Sequence, residues 1–86
     1  MKKINYKKRL WKVFSEYVRR RDGGVCFTCG KVDDWKNMHA GHFIDASVCG
    51  VALNFDERNI HCQCPRCNTY LHGNKIQYTY KMLKLY

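Results

Sequence analysis

Between Ile4 and Arg21 the apolar residues Leu10, Trp11, Phe14, Tyr17 and Val18 recur at steps of three and four, the spacing that lines one face of a helix. Lys and Arg fill most of the opposite face, and Asp22-Gly23-Gly24 supplies two residues free to take positive φ, which ends the helix. The texture then changes. Val25-Cys26-Phe27-Thr28-Cys29-Gly30-Lys31 reads as a tight turn presenting two thiols to one point, the form of a zinc knuckle. After a polar, turn-like stretch over 32–37, Met38-His39-Ala40-Gly41-His42-Phe43-Ile44 is compatible with a short strand. A loop from Asp45 to Gly50 separates it from Val51-Ala52-Leu53 and Phe55, and Asn59-Ile60-His61-Cys62 reads as a second strand. Pro65 suits the start of a short helix expected to reach His72, with Gly73 as its stop. From Lys75 to Tyr86 two periods compete: Ile76, Tyr80 and Leu83 form a helical stripe, while Ile76, Tyr78, Tyr80 and Met82 alternate as a strand would. Length and the Lys, Met and Leu content favour helix.

An 86-residue chain has room for one core. The expected organisation is a single α+β domain over 1–86, with a basic helix in 1–22, a zinc-knuckle core in 24–74 and a C-terminal helix in 75–86. A composition of 45% hydrophobic and 14% aromatic residues excludes disorder by composition, yet a core this small usually needs a metal or disulfides. No stretch approaches the ~20 apolar residues of a membrane span, and Met1 to Arg9 lacks the apolar run of a signal peptide. Membrane insertion and secretion are disfavoured on that reading. A cytoplasmic, reducing location is expected, where cysteine pairs read as metal ligands before disulfides.

Cys26-x-x-Cys29 and Cys64-x-x-Cys67 are two such pairs, and together they can close a tetrahedral thiolate shell around Zn²⁺ at ~2.3 Å per bond. Cys62 offers a third thiol beside the second pair. The x-x spacing assigns Cys64 and Cys67 as ligands and leaves Cys62 and Cys49 as small buried apolar residues. Four thiolates leave no open position for substrate, so this zinc is structural, and its binding free energy is folding free energy. The rival reading is a disulfide framework; a redox Cys-x-x-Cys would not explain two pairs.

The ordered set Cys-x-x-Cys, Ala40-Gly41-His42-Phe43, Phe55-Asp56-Glu57-Arg58-Asn59, Gln63-Cys64-x-x-Cys67-Asn68 and Gly73-Asn74 resembles the phage lambda NinG (Rap) recombination family. That family belongs with the HNH, or ββα-metal, nucleases, of which phage endonuclease VII is a similar zinc-clipped relative. The resemblance runs from about Gly24 to Tyr80. It implies a zinc-clipped ββα-metal fold and an endonuclease acting on DNA, with branched recombination intermediates such as Holliday junctions as substrates. It also suggests a phage or prophage origin. Hydrolysing a phosphodiester needs a base for the attacking water and a cation for the charge building on the leaving oxygen. The resemblance implies His42 as that base, a role suited to an imidazole, which ordinarily titrates near ~6.5. It implies Asn59 as the residue orienting the hairpin and Asn68 as a ligand of a catalytic Mg²⁺ or Mn²⁺. The superfamily often carries a metal ligand just before the base, where this chain has Gly41. His39, Asp45 and His72 are the candidates for an additional ligand, His72 because it lies one helical turn after Asn68. Glu57 beside Arg58 reads as a surface pair, and His61 has no role derivable from sequence.

Sixteen Lys and Arg against seven Asp and Glu give a formal charge of +9. Lys7, Lys8, Arg9, Lys12, Arg19, Arg20 and Arg21 crowd the first helix, with Glu16 the only acid before Asp22, so pairing cannot absorb the excess. A polyanion such as DNA is the expected partner, held through phosphates with a steep salt dependence. Trp11, Phe14 and Tyr17 read as core, Trp35 as a nucleic-acid or protein contact. Symmetric cutting of a junction needs two sites, which predicts a homodimer through the basic helix or the aromatic tail. The principal alternative is a zinc-knuckle module that binds nucleic acid without cutting it.

Overall fold

The structure is a computed structural model and describes residues 5–45 and 55–86. Helix α1 spans Tyr6–Arg21 and is entered at Asn5, whose side chain accepts from the Lys8 amide at 3.0 Å. It ends where expected, with Gly23 and Gly24 donating back to the Arg20 and Arg19 carbonyls. Gly24 has φ +71°, and a Cβ there would lie 2.0 Å from the Asp33 carbonyl oxygen, so the chain can turn into the knuckle only at a glycine. The knuckle is closed by Cys26 N–H to the Lys31 carbonyl and Gly30 N–H to the Cys26 carbonyl, with Val25 and Val32 bridged across its base.

The polar stretch before the first strand contains one 3₁₀ turn, Trp35–Asn37, capped by the Asp34 side chain. Strands β1 (His39–His42) and β2 (Ile60–Gln63) pair antiparallel, with Ala40 opposite Cys62, Gly41 opposite His61 and His42 opposite Ile60. Alternation places Ala40, His42, Ile60 and Cys62 on one face and His39, Gly41, His61 and Gln63 on the other. Helix α1 covers the first face. The segment after Cys64 and helix α2 (Lys75–Leu85) cover the second.

Two expectations need correction. The helical segment after Pro65 is a π-helical turn over Arg66–Tyr70, with Leu71 N–H bonded to the Arg66 carbonyl, five residues back. It stops before His72, which has φ 50°, so the one-turn relation to Asn68 that singled out His72 does not hold. In α2, Ile76, Tyr80 and Leu83 face solvent, and the buried contact is made by Tyr78 instead.

Among the described residues the fully buried apolar set is Val18, Cys26, Met38, Ile60, Cys62, Cys64, Cys67 and Tyr78, half of it cysteine. So thin a core, with cysteine sulfurs at its centre, is the kind a bound metal can complete.

Candidate functional site

The ligand atoms of Cys26, Cys29, Cys64 and Cys67 lie within 4.8 Å of one another, three of the residues buried and Cys29 exposed. The Cys29 and Cys64 sulfurs are 3.6 Å apart, far beyond a disulfide bond and near the edge of a tetrahedron with ~2.3 Å bonds. The four can hold a metal such as zinc. Neighbours hydrogen-bond two of the sulfurs: Thr28 Oγ1 lies 3.3 Å from Cys26 Sγ, and Asn74 Nδ2 donates to Cys67 Sγ at 3.6 Å. Burial would raise the Cys26 thiol, but hydrogen bonds from Thr28 and from the backbone at Cys64, Cys29 and Thr28 outweigh it and bring the thiol down to about 6. Cys62 stands outside the cluster, and burial pushes its thiol up to about 12, so it behaves as the small buried residue expected. Cys49 lies outside the described residues.

His42 ends β1 on the face toward α1, where Trp11 stacks on its ring at 4.9 Å between centroids and 18° between planes. Trp11 and Phe14 continue into a cluster with Phe55. The main chain around His42 is held from three sides. Tyr78 Oη donates to the Gly41 carbonyl at 2.7 Å, and Lys75 Nζ donates to the carbonyls of His42 and of Phe43, the latter at 2.7 Å. Asn59 closes the third side: its carbonyl accepts from Phe43 N–H at 2.8 Å, its Oδ1 accepts from Ile44 N–H at 2.8 Å, and its Nδ2 donates to the Ile44 carbonyl at 3.2 Å.

Asn68 approaches from the π-helical turn, directly after the second knuckle. Its Nδ2 lies 3.0 Å from His39 Nδ1, and its Oδ1 is turned toward Gly41. The strand alternation therefore sets His42 toward α1 and Asn68 toward the opposite face. Of the additional candidates, His39 is in contact with Asn68, Asp45 pairs with Lys75 at 3.0 Å, and His72 is exposed beyond the helical turn. Glu57 accepts from the Tyr17 hydroxyl, and Arg58 pairs with Asp56 rather than with Glu57.

The basic run divides. Lys7, Lys8, Arg9 and Lys12 are exposed and make no ion pair among the described residues. Arg20 pairs with Glu16 and lies 4.4 Å from the Trp35 ring, Arg19 bonds the Ser15 carbonyl, and Arg21 binds Asp22 and the carbonyls of Glu57 and Ile60. Arg21 is thus a structural residue rather than a free phosphate contact, and Trp35 serves as a platform for arginines.

Sequence reasoning missed Lys75, Tyr78, His61 and Gln63. His61 is buried and stacked on Phe27 at 4.0 Å, and burial pulls its imidazole down to about 4. Its Nδ1 lies 3.1 Å from Tyr78 Oη; that hydroxyl donates to Gly41, so His61 must donate to it. A histidine opposite the glycine before the candidate base was the only available hint.

A family model described as bacteriophage lambda NinG protein matches residues 1–86. The chain is 32% identical over 77 residues to protein ninG of Escherichia phage 933W, 32% over 78 residues to that of Salmonella phage P22, and 31% over 77 residues to that of Escherichia phage lambda. These alignments cover 88%, 90% and 88% of this chain but 37% of each relative. The chain thus spans little more than a third of the length of the curated relatives it matches. No solved structure matches it. No helix among the described residues is long and apolar enough to cross a membrane.

Proposed function

Since this chain belongs to the NinG family, we propose that it is a metal-dependent DNA endonuclease of the ββα-metal type that hydrolyses phosphodiester bonds in branched recombination intermediates. The observation that carries the reading is the set of hydrogen bonds fixing the backbone around His42, from Tyr78, Lys75 and Asn59, with the Asn68 amide oxygen brought to the same segment. A catalytic base must be held within a few tenths of an ångström, and fixing the backbone on both sides of one histidine achieves that.

In the reaction His42 takes the proton of the attacking water. Trp11 holds the imidazole plane, and Asn59 and Lys75 keep the strand end from shifting as charge develops. The Asn68 amide oxygen would help hold the divalent cation, Mg²⁺ or Mn²⁺, which when bound neutralises charge on the leaving oxygen. Cys26, Cys29, Cys64 and Cys67 would hold a zinc ion that locks the knuckles flanking β2 and Asn68. Lys7, Lys8, Arg9 and Lys12 hold the flanking phosphates. Three of them crowd the N-terminal turn of α1, where cations oppose the helix dipole at ~0.3–1 kcal/mol each, a cost that bound phosphate would remove. Tyr6, Leu10 and Val13 are exposed on α1 beside these cations, which supports pairing of two chains on a junction.

The test is nicking of a four-way junction with Mg²⁺ or Mn²⁺. Wild type should cut, and His42→Ala should bind without cutting; equal activity in the two sinks the reading. The second reading, a non-catalytic zinc module, is favoured by Gly41, which offers no metal ligand, and it predicts binding without cleavage in both proteins. Light scattering with and without junction DNA decides the dimer.

A further inference from the structure

One buried acceptor has no hydrogen-bond partner among the described residues: Oε1 of Gln63, a residue with 0% exposure on β2. The orientation of that amide is fixed. Its Nε2 donates to the Gly73 carbonyl at 2.8 Å and to Thr28 Oγ1 at 3.2 Å, and turning the amide over would set Oε1 against the Gly73 carbonyl, acceptor against acceptor. Thr28, having accepted that proton, is left to donate its own to Cys26 Sγ, so the amide is braced by the zinc knuckle. A buried oxygen locked in place and left unpaired calls for an occupant.

Its position is specific. A Cβ added to Gly41 would lie 1.8 Å from Gln63 Oε1 and 3.0 Å from Asn68 Oδ1. The Asn68 oxygen faces that point because its Nδ2 is engaged with His39. The Gln63 amide oxygen thus fills the place where a side chain at position 41 would stand, and the Asn68 oxygen lies beside it. Both are acceptors, so whatever completes them must carry positive charge or donate hydrogen bonds.

We propose that Gln63 substitutes for the side chain that position 41 lacks: with Asn68 Oδ1, its Oε1 holds the divalent cation, directly or through one of the cation's waters. This rests on the reading above that Asn68 ligates such a cation. It gives Gly41 a reason, since any side chain there would displace Gln63.

The experiment is a titration of the zinc-loaded chain with Mn²⁺ alone, followed by the paramagnetic resonance of free Mn²⁺, which needs no DNA cleavage. Gln63→Ala should weaken Mn²⁺ binding about tenfold or more, the loss usual for a residue supporting a metal. Combining Gly41→Asp with Gln63→Ala, which returns the ligand to position 41, should recover most of it. In the wild type, Mn²⁺ should broaden the side-chain NH₂ resonances of Gln63 and Asn68 before any others, which places the cation here without any variant; broadening centred elsewhere overturns the proposal. If Asn68→Ala loses Mn²⁺ but Gln63→Ala does not, Gln63 has no such role and the cation reading survives. Should Asn68→Ala also bind Mn²⁺ like wild type, both fail.

Discussion

Replacing Tyr78 by Phe tests the hydrogen-bond chain beneath the candidate base. The ring is fully buried and packs on Phe27 and Phe43 at 5.3 and 5.2 Å between centroids, contacts that phenylalanine retains. What is lost is one oxygen with two bonds: its donation to the Gly41 carbonyl at 2.7 Å and its acceptance from His61 Nδ1 at 3.1 Å. The larger cost falls on His61. A buried N–H left without an acceptor costs about 1–3 kcal/mol, and losing the bond to Gly41 adds about 1 kcal/mol. The variant should therefore be about 2–4 kcal/mol less stable, with an unchanged urea m-value. Urea unfolding of the zinc-loaded protein measures this. Phe at both 78 and 61 removes donor and acceptor together, so the double variant should cost less than the two single changes combined, by about 1 kcal/mol. A loss below about 0.5 kcal/mol, or strict additivity in the double variant, would refute the assignment of His61 as donor. If the proposed activity holds, nicking should fall in Tyr78→Phe while junction affinity does not, because the Gly41 carbonyl borders the base and not the basic helix.

Metal analysis should return one zinc per chain; a zinc chelator or Cys64→Ser should unfold the protein, while Cys62→Ala should keep its zinc. Because burial pulls His61 down to about 4 from an ordinary 6.5, the unfolded state binds the extra proton between those values. Its contribution is therefore complete above pH 6.5 and is lost as pH falls toward 4, and His61→Phe should flatten the wild-type decline in that window. Four exposed cations, Lys7, Lys8, Arg9 and Lys12, predict a slope of about −3.6 for the logarithm of the DNA association constant against that of salt. Changing Lys8 and Lys12 to Ala should reduce it by about 2; an unchanged slope would place the phosphates elsewhere.

The helix over Tyr6–Arg21, both strands to within two residues, the four-cysteine cluster and the proximity of Asn59 to the end of β1 were all legible in the sequence. The helix, the strands and the cysteine cluster rest on a local period or a fixed ligand spacing, whereas the place of Asn59 came from the family resemblance. The π-helical turn was not, because Arg66–Tyr70 carries no signal distinguishing five-residue bonding from four; Cys64 just before it and Cys67 within it anchor its start. The period of α2 was read correctly but its buried face was not, since Ile76, Tyr80 and Leu83 outweigh Tyr78 by hydrophobicity alone. What reverses the choice is the tyrosine hydroxyl, which finds acceptor and donor together only at Gly41 and His61. Lys75 and Gln63 escaped notice for the same reason: one bonds backbone carbonyls more than thirty positions away and the other a carbonyl and a hydroxyl on separate elements, pairings that no spacing encodes.

The outer side of β2 shows how a two-stranded sheet avoids recruiting a neighbour. Ile60 and Cys62 turn main-chain groups away from β1. The Ile60 carbonyl takes Arg21, the Cys62 N–H gives to Asp22, and the Cys62 carbonyl takes the Phe27 amide. The last turn of a helix and one knuckle amide thus occupy the place of a third strand, and they do so with single atoms rather than a ladder. Asp22 and Arg21 are therefore gatekeepers against edge-to-edge self-association as well as the joint of α1. Losing either would expose a templating edge beside the four-cysteine cluster, and such variants should be lost as aggregates before any effect on DNA could be measured.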